Sequence, residues 1–152
     1  MAEIVKKATR ESFGEAVTKL AEKYPEIVVL DADLAAATKT GTFKKAHPDR
    51  FFDCGIAESN MIGIAAGLAT CGKIPFAASF AMFSAIALMR TIPGMVVLNP
   101  ADHYEMLAAV EAAVLHKGPV YLRLGRLAAE SINNNDDYHF ELGKGIQLHD
   151  GN

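Results

Sequence analysis

The sequence lacks the features that mark several protein classes. Its 15 basic and 18 acidic residues give a net charge of −3, and no basic cluster with interleaved aromatic residues occurs, which argues against a nucleic-acid partner. The two cysteines, Cys54 and Cys71, have no CxxC spacing and no nearby histidines, so we expect packed, reduced thiols and no metal site. No glycine-rich phosphate loop follows the first predicted strand, which disfavours a plain nucleotide-binding domain.

Long hydrophobic runs are also missing. The N-terminus is charged and has no apolar signal-peptide core, and no apolar run reaches membrane-spanning length without a break. We therefore expect a cytoplasmic protein without a membrane partner. With 152 residues, 51% of them hydrophobic, the chain can bury one core.

Short apolar runs alternate with helical patterns along the chain. The predicted strands are 27–30, 51–53, 75–79, 95–98 and 120–124. The predicted helices are 13–24, 57–71, 86–92 and 104–115. This alternation predicts a doubly wound α/β domain, with a mainly parallel sheet and helices on both faces. We place that domain at residues 1–132 and treat 133–152 as a linker or the start of an absent further domain.

Capping residues and histidines have simpler interpretations. Thr9 or Ser12 is expected to cap the first helix, and Asp102 to cap the helix at 104–115. His103 and His116 flank that last helix, and we expect both to be exposed.

One stretch, residues 50–73 (RFFDCGIAESNMIGIAAGLATCGK), contains a single glutamate where a Gly/Ala-rich helix begins. The apolar residues of that helix recur at helical spacing and Gly63 and Gly67 lie four apart, which predicts a buried, closely approached helix. A carboxylate such as Glu58 at the mouth of a buried helix is costly unless it has a function. From the residues alone, an acid that favours the helix dipole is an equally good interpretation.

Acidic and aromatic residues follow two other strands. Asp31 and Asp33 end the first strand, where open α/β sheets bind ligands, and they either bind one or cap the next turn. Phe80 and Phe83, in SFAMFSA, would share one face of a helix. Ordinary core packing is the simpler interpretation of these phenylalanines from the residues alone.

Taken together, these motifs resemble the pyrimidine-binding domain of thiamine diphosphate enzymes, in the transketolase branch. The resemblance lies in Asp-x-Gly-Ile-Ala-Glu with its helix, in the later Gly72, Pro75 and Phe76, and in the FAMF run, and it covers most of residues 1–132. It implies thiamine diphosphate as cofactor, whose aminopyrimidine ring shares a proton with a protein carboxyl. Glu58 matches that catalytic acid.

The resemblance implies further cofactor contacts around this acid. Ile56, Phe80 and Phe83 would hold the flat cofactor ring together with Glu58. Asp33 matches the family's acid near the thiazolium ring and the donor substrate, which leaves a structural role for Asp31.

Two arginines resemble the family's pair that binds the phosphate of a sugar phosphate. Arg10 lies in Ala-Thr-Arg and Arg126 in Leu-Gly-Arg-Leu. A guanidinium suits this role because its fork of donors matches phosphate oxygens. From the residues alone, Arg10 could equally be a charge on a helix face. For Arg126 a strand-end cap is the alternative, and we favour the functional role.

The chain departs from the family pattern in two places. It has no Gly-Asp-Gly motif followed by Asn, so the magnesium and diphosphate site would belong to an N-terminal transketolase subunit or domain. Family members also continue after FAMFSA with a helix, a strand and a histidine-containing loop, whereas here Ala85 runs straight into Ile86. The stretch is either deleted or a disordered loop that the numbering passes over. We favour disorder, which predicts a chain break between these two residues and leaves none of the five histidines in the family's substrate-binding role.

The resemblance therefore implies part of a transketolase that is silent alone. With its partner it would transfer a two-carbon ketol unit between sugar phosphates, as in pentose phosphate metabolism. We expect an exposed apolar patch at Ile56, Phe80 and Phe83, and a homodimer. Deoxyxylulose phosphate synthase, the β subunit of a 2-oxoacid dehydrogenase and a non-catalytic assembly module stay open as alternatives.

Overall fold

A computed structural model describes residues 5–83, 89–133 and 138–145. The elements in chain order are β1 (Lys6–Ala8), α1 (Thr9–Lys23), β2 (Ile27–Asp31), α2 (Ala35–Thr38), α3 (Gly41–Ala46), a 3-10 turn (Pro48–Arg50), β3 (Phe51–Asp53), α4 (Glu58–Thr70), β4 (Ile74–Ala78), a second 3-10 turn (Ala81–Phe83), β5 (Val96–Leu98), α5 (His103–Leu115), β6 (Val120–Leu122) and β7 (Ala128–Glu130). The chain break expected between Ala85 and Ile86, and residues 86–88 of the helix predicted at 86–92, lie outside the described residues.

The parallel strand β2 is the centre of the fold. It pairs with β3 on one side and β4 on the other, both in parallel, and all five of its residues are buried. The register aligns Asp31 with Asp53 and with Ala78. The carboxyl ends of all three strands therefore meet at one edge of the sheet, where α/β proteins bind ligands.

Alternate residues of β2 face two separate hydrophobic clusters. Ile27 and Val29 pack with α1, α3 and α5, whereas Val28 and Leu30 pack with α4. A strand covered on both faces needs apolar residues at every position, which explains the unbroken apolar run in the sequence. The predicted doubly wound α/β fold, with helices on both faces of parallel strands, is confirmed.

The sheet differs from the predicted one in its continuity. Among the described residues, β5 and β6 form a second parallel ladder that is separate from β3-β2-β4. An antiparallel pair, β1 with β7, was not predicted and ties the two ends of the domain together.

The helix caps follow only part of the prediction. Helix α1 begins after Ala8 without a side-chain cap, so the expected caps are wrong. Thr9 Oγ1 instead accepts a hydrogen bond from the N–H of Gly125 (2.6 Å), and Ser12 Oγ lies 2.8 Å from Nδ1 of His103. Both hydroxyls are used in contacts between elements, which also leaves His103 half-buried rather than exposed.

Asp102 caps α5 as predicted and also anchors the chain beyond β7. Its Oδ1 accepts the N–H of Glu105 (2.9 Å), and its Oδ2 accepts those of Ile132 (2.7 Å) and Asn133 (2.8 Å). Burial by itself would raise the pKa of Asp102, but the hydrogen bonds from Glu105, Asn133 and Ile132 outweigh it and hold the pKa below its ordinary value.

Helix α4 is not buried in this chain, so that prediction is wrong. Only Met61 and Ala65 are buried, whereas Ile62 is 57% exposed, and a Cβ added to Gly63 or Gly67 would meet nothing within 4 Å. The helix packs on β2 and β4 through one stripe, and most of its other residues are exposed among the described residues.

Membrane-spanning helices and metal-binding clusters are both absent from the described residues, and this holds for those residues alone. There, no helix is long and apolar enough to cross a membrane. The same residues hold no group of three or more His, Cys, Asp or Glu side chains able to bind a metal ion.

Candidate cofactor site

The ends of β2 and β3 are joined through one carboxylate that sequence reasoning left without a role. Asp53 Oδ1 accepts hydrogen bonds from the N–H groups of Asp33 (3.1 Å) and Gly55 (3.0 Å). Asp33 has a φ of 60°, a left-handed conformation that aspartate tolerates better than most residues. Its side chain is exposed at the carboxyl edge of the sheet. The available sequence signal was an aspartate that ends a strand two residues before a turn glycine, Gly55.

Asp31 lies beneath this edge and has the structural role expected of it. Its fully buried carboxylate accepts hydrogen bonds from the N–H of Leu34 (2.5 Å) and from the hydroxyls of Thr38 (2.7 Å) and Thr40 (2.8 Å). These bonds fix the segment that follows Asp33. Asp31 is thus consumed by internal contacts, whereas Asp33 is available to a ligand.

Glu58 is the first residue of α4 and is half-buried. Ser79 Oγ donates a hydrogen bond to its Oε1 (3.3 Å), which draws the carboxylate toward the end of β4. A carboxylate has about four lone-pair positions, so one hydroxyl contact leaves capacity for a second partner. Glu58 therefore lies at the same sheet edge as Asp33 and Asp53.

Apolar side chains lie exposed beside this acid. Phe80 directly follows Ser79 and is 41% exposed, and Ile56, two residues before Glu58, is 85% exposed. The FAMF run forms a 3-10 turn over Ala81–Phe83. The side chain of Phe83 lies outside the described part of the chain, so its predicted contact with the cofactor stays a prediction.

The structure brings the two predicted phosphate-binding arginines to one place through their backbones. The N–H of Arg10 donates to the carbonyl of Gly125 (3.4 Å), the residue before Arg126, and Arg126 is exposed. The Arg10 side chain is not a free charge on a helix face, because its Nη1 donates to the carbonyl of Ala37 (3.1 Å). Its buried Nε has no hydrogen-bond partner among the described residues, so part of its donor fork is unsatisfied.

The neighbouring thiol is not a second reactive group. Burial, followed by the nearby charges of Asp53 and Asp31, raises the pKa of Cys54. A thiol kept protonated is a poor nucleophile. The chemistry available at this edge is that of carboxylates, a hydroxyl, exposed apolar side chains and arginines.

These features fit the pyrimidine half of a thiamine diphosphate site. Glu58 combines partial burial with spare acceptor capacity, and Phe80 and Ile56 offer apolar surface next to it for a flat ring. The structure contains no counterpart, in its described residues, for the missing diphosphate motif. The roles of Glu58, Asp33, Ile56, Phe80, Arg10 and Arg126 remain predictions.

Comparison with known proteins agrees with this assignment. The profile of the family "Transketolase, pyrimidine binding domain" matches residues 5–87 and 84–131. The transketolase C-terminal section of Methanocaldococcus jannaschii is 40% identical over 97% of this chain and 60% of its own length. The 6-deoxy-6-sulfo-D-fructose transketolase subunit SqwH of a Clostridium species is 35% identical over 93% of this chain and 56% of its own length. The chain thus spans about three fifths of the length of these relatives.

Solved structures show the same fold. A split-gene transketolase, described as an inactive β4 tetramer, superposes with a TM-score of 0.86 at 42% identity, covering 95% of this chain and 59% of that one. Leishmania mexicana transketolase superposes with a TM-score of 0.73 at 20% identity, covering 86% of this chain and 27% of that one, which supports the fold alone.

Fold and geometry together define an α/β domain with a candidate ligand site at the carboxyl edge of its parallel strands. The extent of the profile match then identifies the family: the chain belongs to the transketolase pyrimidine-binding-domain family.

The relatives also indicate an internal gap. The Methanocaldococcus alignment has 189 positions, whereas 97% of 152 residues is about 147, so about 42 aligned positions have no counterpart here. The family profile matches in two stretches that meet at residues 84–87, next to Ala85 and Ile86. The sequence passes from one to the other without interruption. These findings favour a true deletion over the disordered loop that we expected.

Proposed function

We propose that this chain is the pyrimidine-binding part of a split transketolase, which transfers a two-carbon ketol unit between sugars with thiamine diphosphate. The observation that supports this most directly is the hydrogen bond from Ser79 to Glu58. This bond holds the acid against Ser79, the residue before exposed Phe80, which supports a cofactor site at this edge of the sheet.

Each group at this edge has a distinct task in the proposal. When bound, thiamine diphosphate supplies a thiazolium carbon that can attack a ketose carbonyl. Glu58 shares a proton with a ring nitrogen of the pyrimidine, while Ser79 holds the carboxylate by its Oε1. Phe80 and Ile56 cover the ring and exclude water. Asp33 faces the donor substrate, held at its backbone by Asp53.

The arginines would bind the anionic end of the substrate. Two named relatives act on different sugars, 6-deoxy-6-sulfo-D-fructose and apulose 4-phosphate, and both sugars end in an anionic group. An arginine fork suits either end group. We therefore propose an anionic ketose as donor and leave its identity to assay.

Activity would require a partner. In the proposal an N-terminal transketolase subunit supplies the magnesium and diphosphate ligands, and two copies of this chain assemble with it. The exposed Ile56 and Phe80, with the exposed faces of α4, are the apolar surface that such an assembly would cover.

The test is reconstitution of this chain with a transketolase N-terminal subunit, taking the Methanocaldococcus jannaschii one first. Ketol transfer is assayed together with calorimetric binding of thiamine diphosphate. Replacing Glu58 by Gln keeps the shape but removes the shared proton, so ketol transfer should fall at least about a hundredfold while folding is unchanged. Glu22→Gln, an exposed substitution of the same type on α1, is the matched control and should leave the rate unchanged. Pyruvate decarboxylation without ketol transfer would refute the assignment.

A non-catalytic assembly module is the second candidate. The observation that favours it is the internal gap of about 42 aligned positions, close to the cofactor-facing FAMF run. A complex that forms but neither binds thiamine diphosphate nor turns over any ketose would support this alternative. An E58Q complex as active as the unaltered one would show that the acid has no catalytic role.

A further inference from the structure

The two parallel ladders each end in a strand with an open edge. In a parallel strand, alternate residues direct their N–H and C=O groups to opposite sides. Ile74 N–H donates to the carbonyl of Glu26, so Ile74, Phe76 and Ala78 face β2 and Pro75 and Ala77 face away from it. Pro75, which has no N–H, thus lies where no ladder bond to β2 is lost.

The same alternation applies to β6. Val96 N–H donates to the carbonyl of Pro119, and Arg123 N–H donates to that of Leu98. Odd-numbered residues of β6 therefore face β5. The N–H and C=O groups of Val120 and Leu122 are left on the opposite edge.

Both open edges lie over one helix. Phe76 of β4 packs against Phe13 of α1, with ring centroids 6.0 Å apart. At the end of β6, Gly125 bonds both Thr9 and Arg10 in the first turn of the same helix. Side chains of β4 and β6 join the same hydrophobic cluster, whereas no residue of β5 does. The two edges therefore flank a gap in a single layer, with β2-β3 beyond one side and β5 beyond the other.

We propose that this gap is the binding site for a β-strand supplied by a separate polypeptide, a segment of about 40 residues equivalent to the one that the relatives contain. The missing aligned positions fall between β4 and β5 in the sequence, where a strand and a helix would be inserted. This inference does not depend on catalysis, because it rests on the ladders and the core.

The site defines the chemistry of its occupant. The strand runs parallel to β4 and β6, because both ladders run antiparallel to α1: β2, the parallel partner of β4, begins beside the end of that helix, and β6 ends beside its start. It bonds Ala77 on one side and Val120 and Leu122 on the other. Its residues facing α1 are apolar, because Phe76, Leu122 and Leu124 line that face. Open, apolar edges of this kind favour pairing with an added strand.

The test uses the full chain and a synthetic peptide with the roughly 42 unmatched residues of the Methanocaldococcus jannaschii relative. Binding is followed by fluorescence anisotropy, and amide hydrogen exchange is measured by NMR. Saturable binding should slow exchange at least about tenfold at the amides of Ala77, Val120 and Leu122. The amide of Phe76, already bonded to β2, is the internal control and should change little.

A peptide with N-methyl groups along its strand serves as the matched control, since it leaves the protein unaltered and cannot donate to either edge. It should not bind. Absence of binding by the unmodified peptide, equal binding by the N-methylated one, or protection confined to α4 would each overturn the proposal. If the same three amides become protected without peptide as the protein concentration rises, a second copy of this chain occupies the gap. That result would likewise overturn the proposal.

Discussion

Replacing Asp31 by Ala tests whether the buried carboxylate below the site holds the segment after β2 in place. Asp31 accepts hydrogen bonds from one backbone N–H and two threonine hydroxyls and has no exposed surface. The substitution removes the acceptor of all three donors at once. Of the three donors, the backbone N–H of Leu34 is the one without another hydrogen-bond acceptor among the described residues.

The magnitude follows from which donors can find another acceptor. Thr38 Oγ1 also contacts the carbonyl of Leu34 (3.1 Å) and Thr40 Oγ1 (3.0 Å), so the two hydroxyls keep partners after the change. A hydrogen bond to a charged group contributes about 1.5–3 kcal/mol, and a buried unsatisfied donor costs about 1–3 kcal/mol. Because the three bonds share one acceptor, their contributions do not add fully. We expect D31A to lower the free energy of unfolding by about 3–5 kcal/mol.

The assay is urea unfolding of the chain followed by circular dichroism, with D31N as the matched variant. Asparagine retains the shape and one acceptor oxygen, so its loss should be about half that of alanine. Since small domains have only about 5–15 kcal/mol in total, Thr40→Val supplies a milder measurement of about 1 kcal/mol. A loss below about 1 kcal/mol for D31A, in a protein that remains folded, would refute the reasoning.

Three further predictions use the same chain. Gly14→Ala should destabilise the protein by about 1–2 kcal/mol although alanine favours helix, because the new Cβ would lie 2.4 Å from the backbone oxygen of Lys39. Gly67→Ala has open space around it and should stabilise the protein by about 0.5–1 kcal/mol. Equal effects of the two substitutions in urea unfolding would contradict the packing argument. The lowered pKa of Asp102 stabilises the fold above about pH 3.9, and this contribution is lost as the pH falls through the pKa of the folded state. D102N should therefore reduce the change in the free energy of unfolding between about pH 5 and pH 2. An unchanged pH dependence in that range would contradict the prediction. Burial, and then the charge of a nearby lysine, lowers the pKa of His103. The unfolded chain therefore binds a proton at His103 more readily than the folded chain, so the free energy of unfolding should decrease as the pH falls below about 6.5. An NMR titration midpoint of His103 at or above that value would contradict this.

Local signals in the sequence were sufficient for the elements and for part of the site. The unbroken apolar run of β2 and the N-cap at Asp102 depend on neighbours within a few residues, and both were predicted correctly. Asp31 and Glu58 could be located because strand ends and helix starts are local features. Their partners could not, since Ser79 is 21 residues from Glu58.

The errors have one physical cause, which is contact over long sequence distances. Thr9 is a good capping residue in isolation, but Gly125 lies 116 residues away and takes its hydroxyl. Asp53 is marked locally as a strand-end aspartate, but its partner Asp33 lies in the turn after β2, 20 residues away, so the contact itself could not be predicted from nearby residues. The split of the sheet likewise depends on residues that this chain lacks, and only alignment to relatives makes their absence measurable.

Helix α4 is the surface of this chain that is best suited to contact a partner. Its sequence has the composition of a buried helix, yet in this chain Ile62 and Ile64 are 57% and 40% exposed. Exposed apolar surface of this extent is costly unless a partner covers it, so the composition fits a helix that is buried in a complex. Gly67→Ala can separate the two states, because the glycine has open space in the chain alone but would be closely approached in a tight interface. The substitution should therefore stabilise the isolated chain while weakening its assembly with an N-terminal subunit, and assembly at unchanged affinity would place the interface elsewhere.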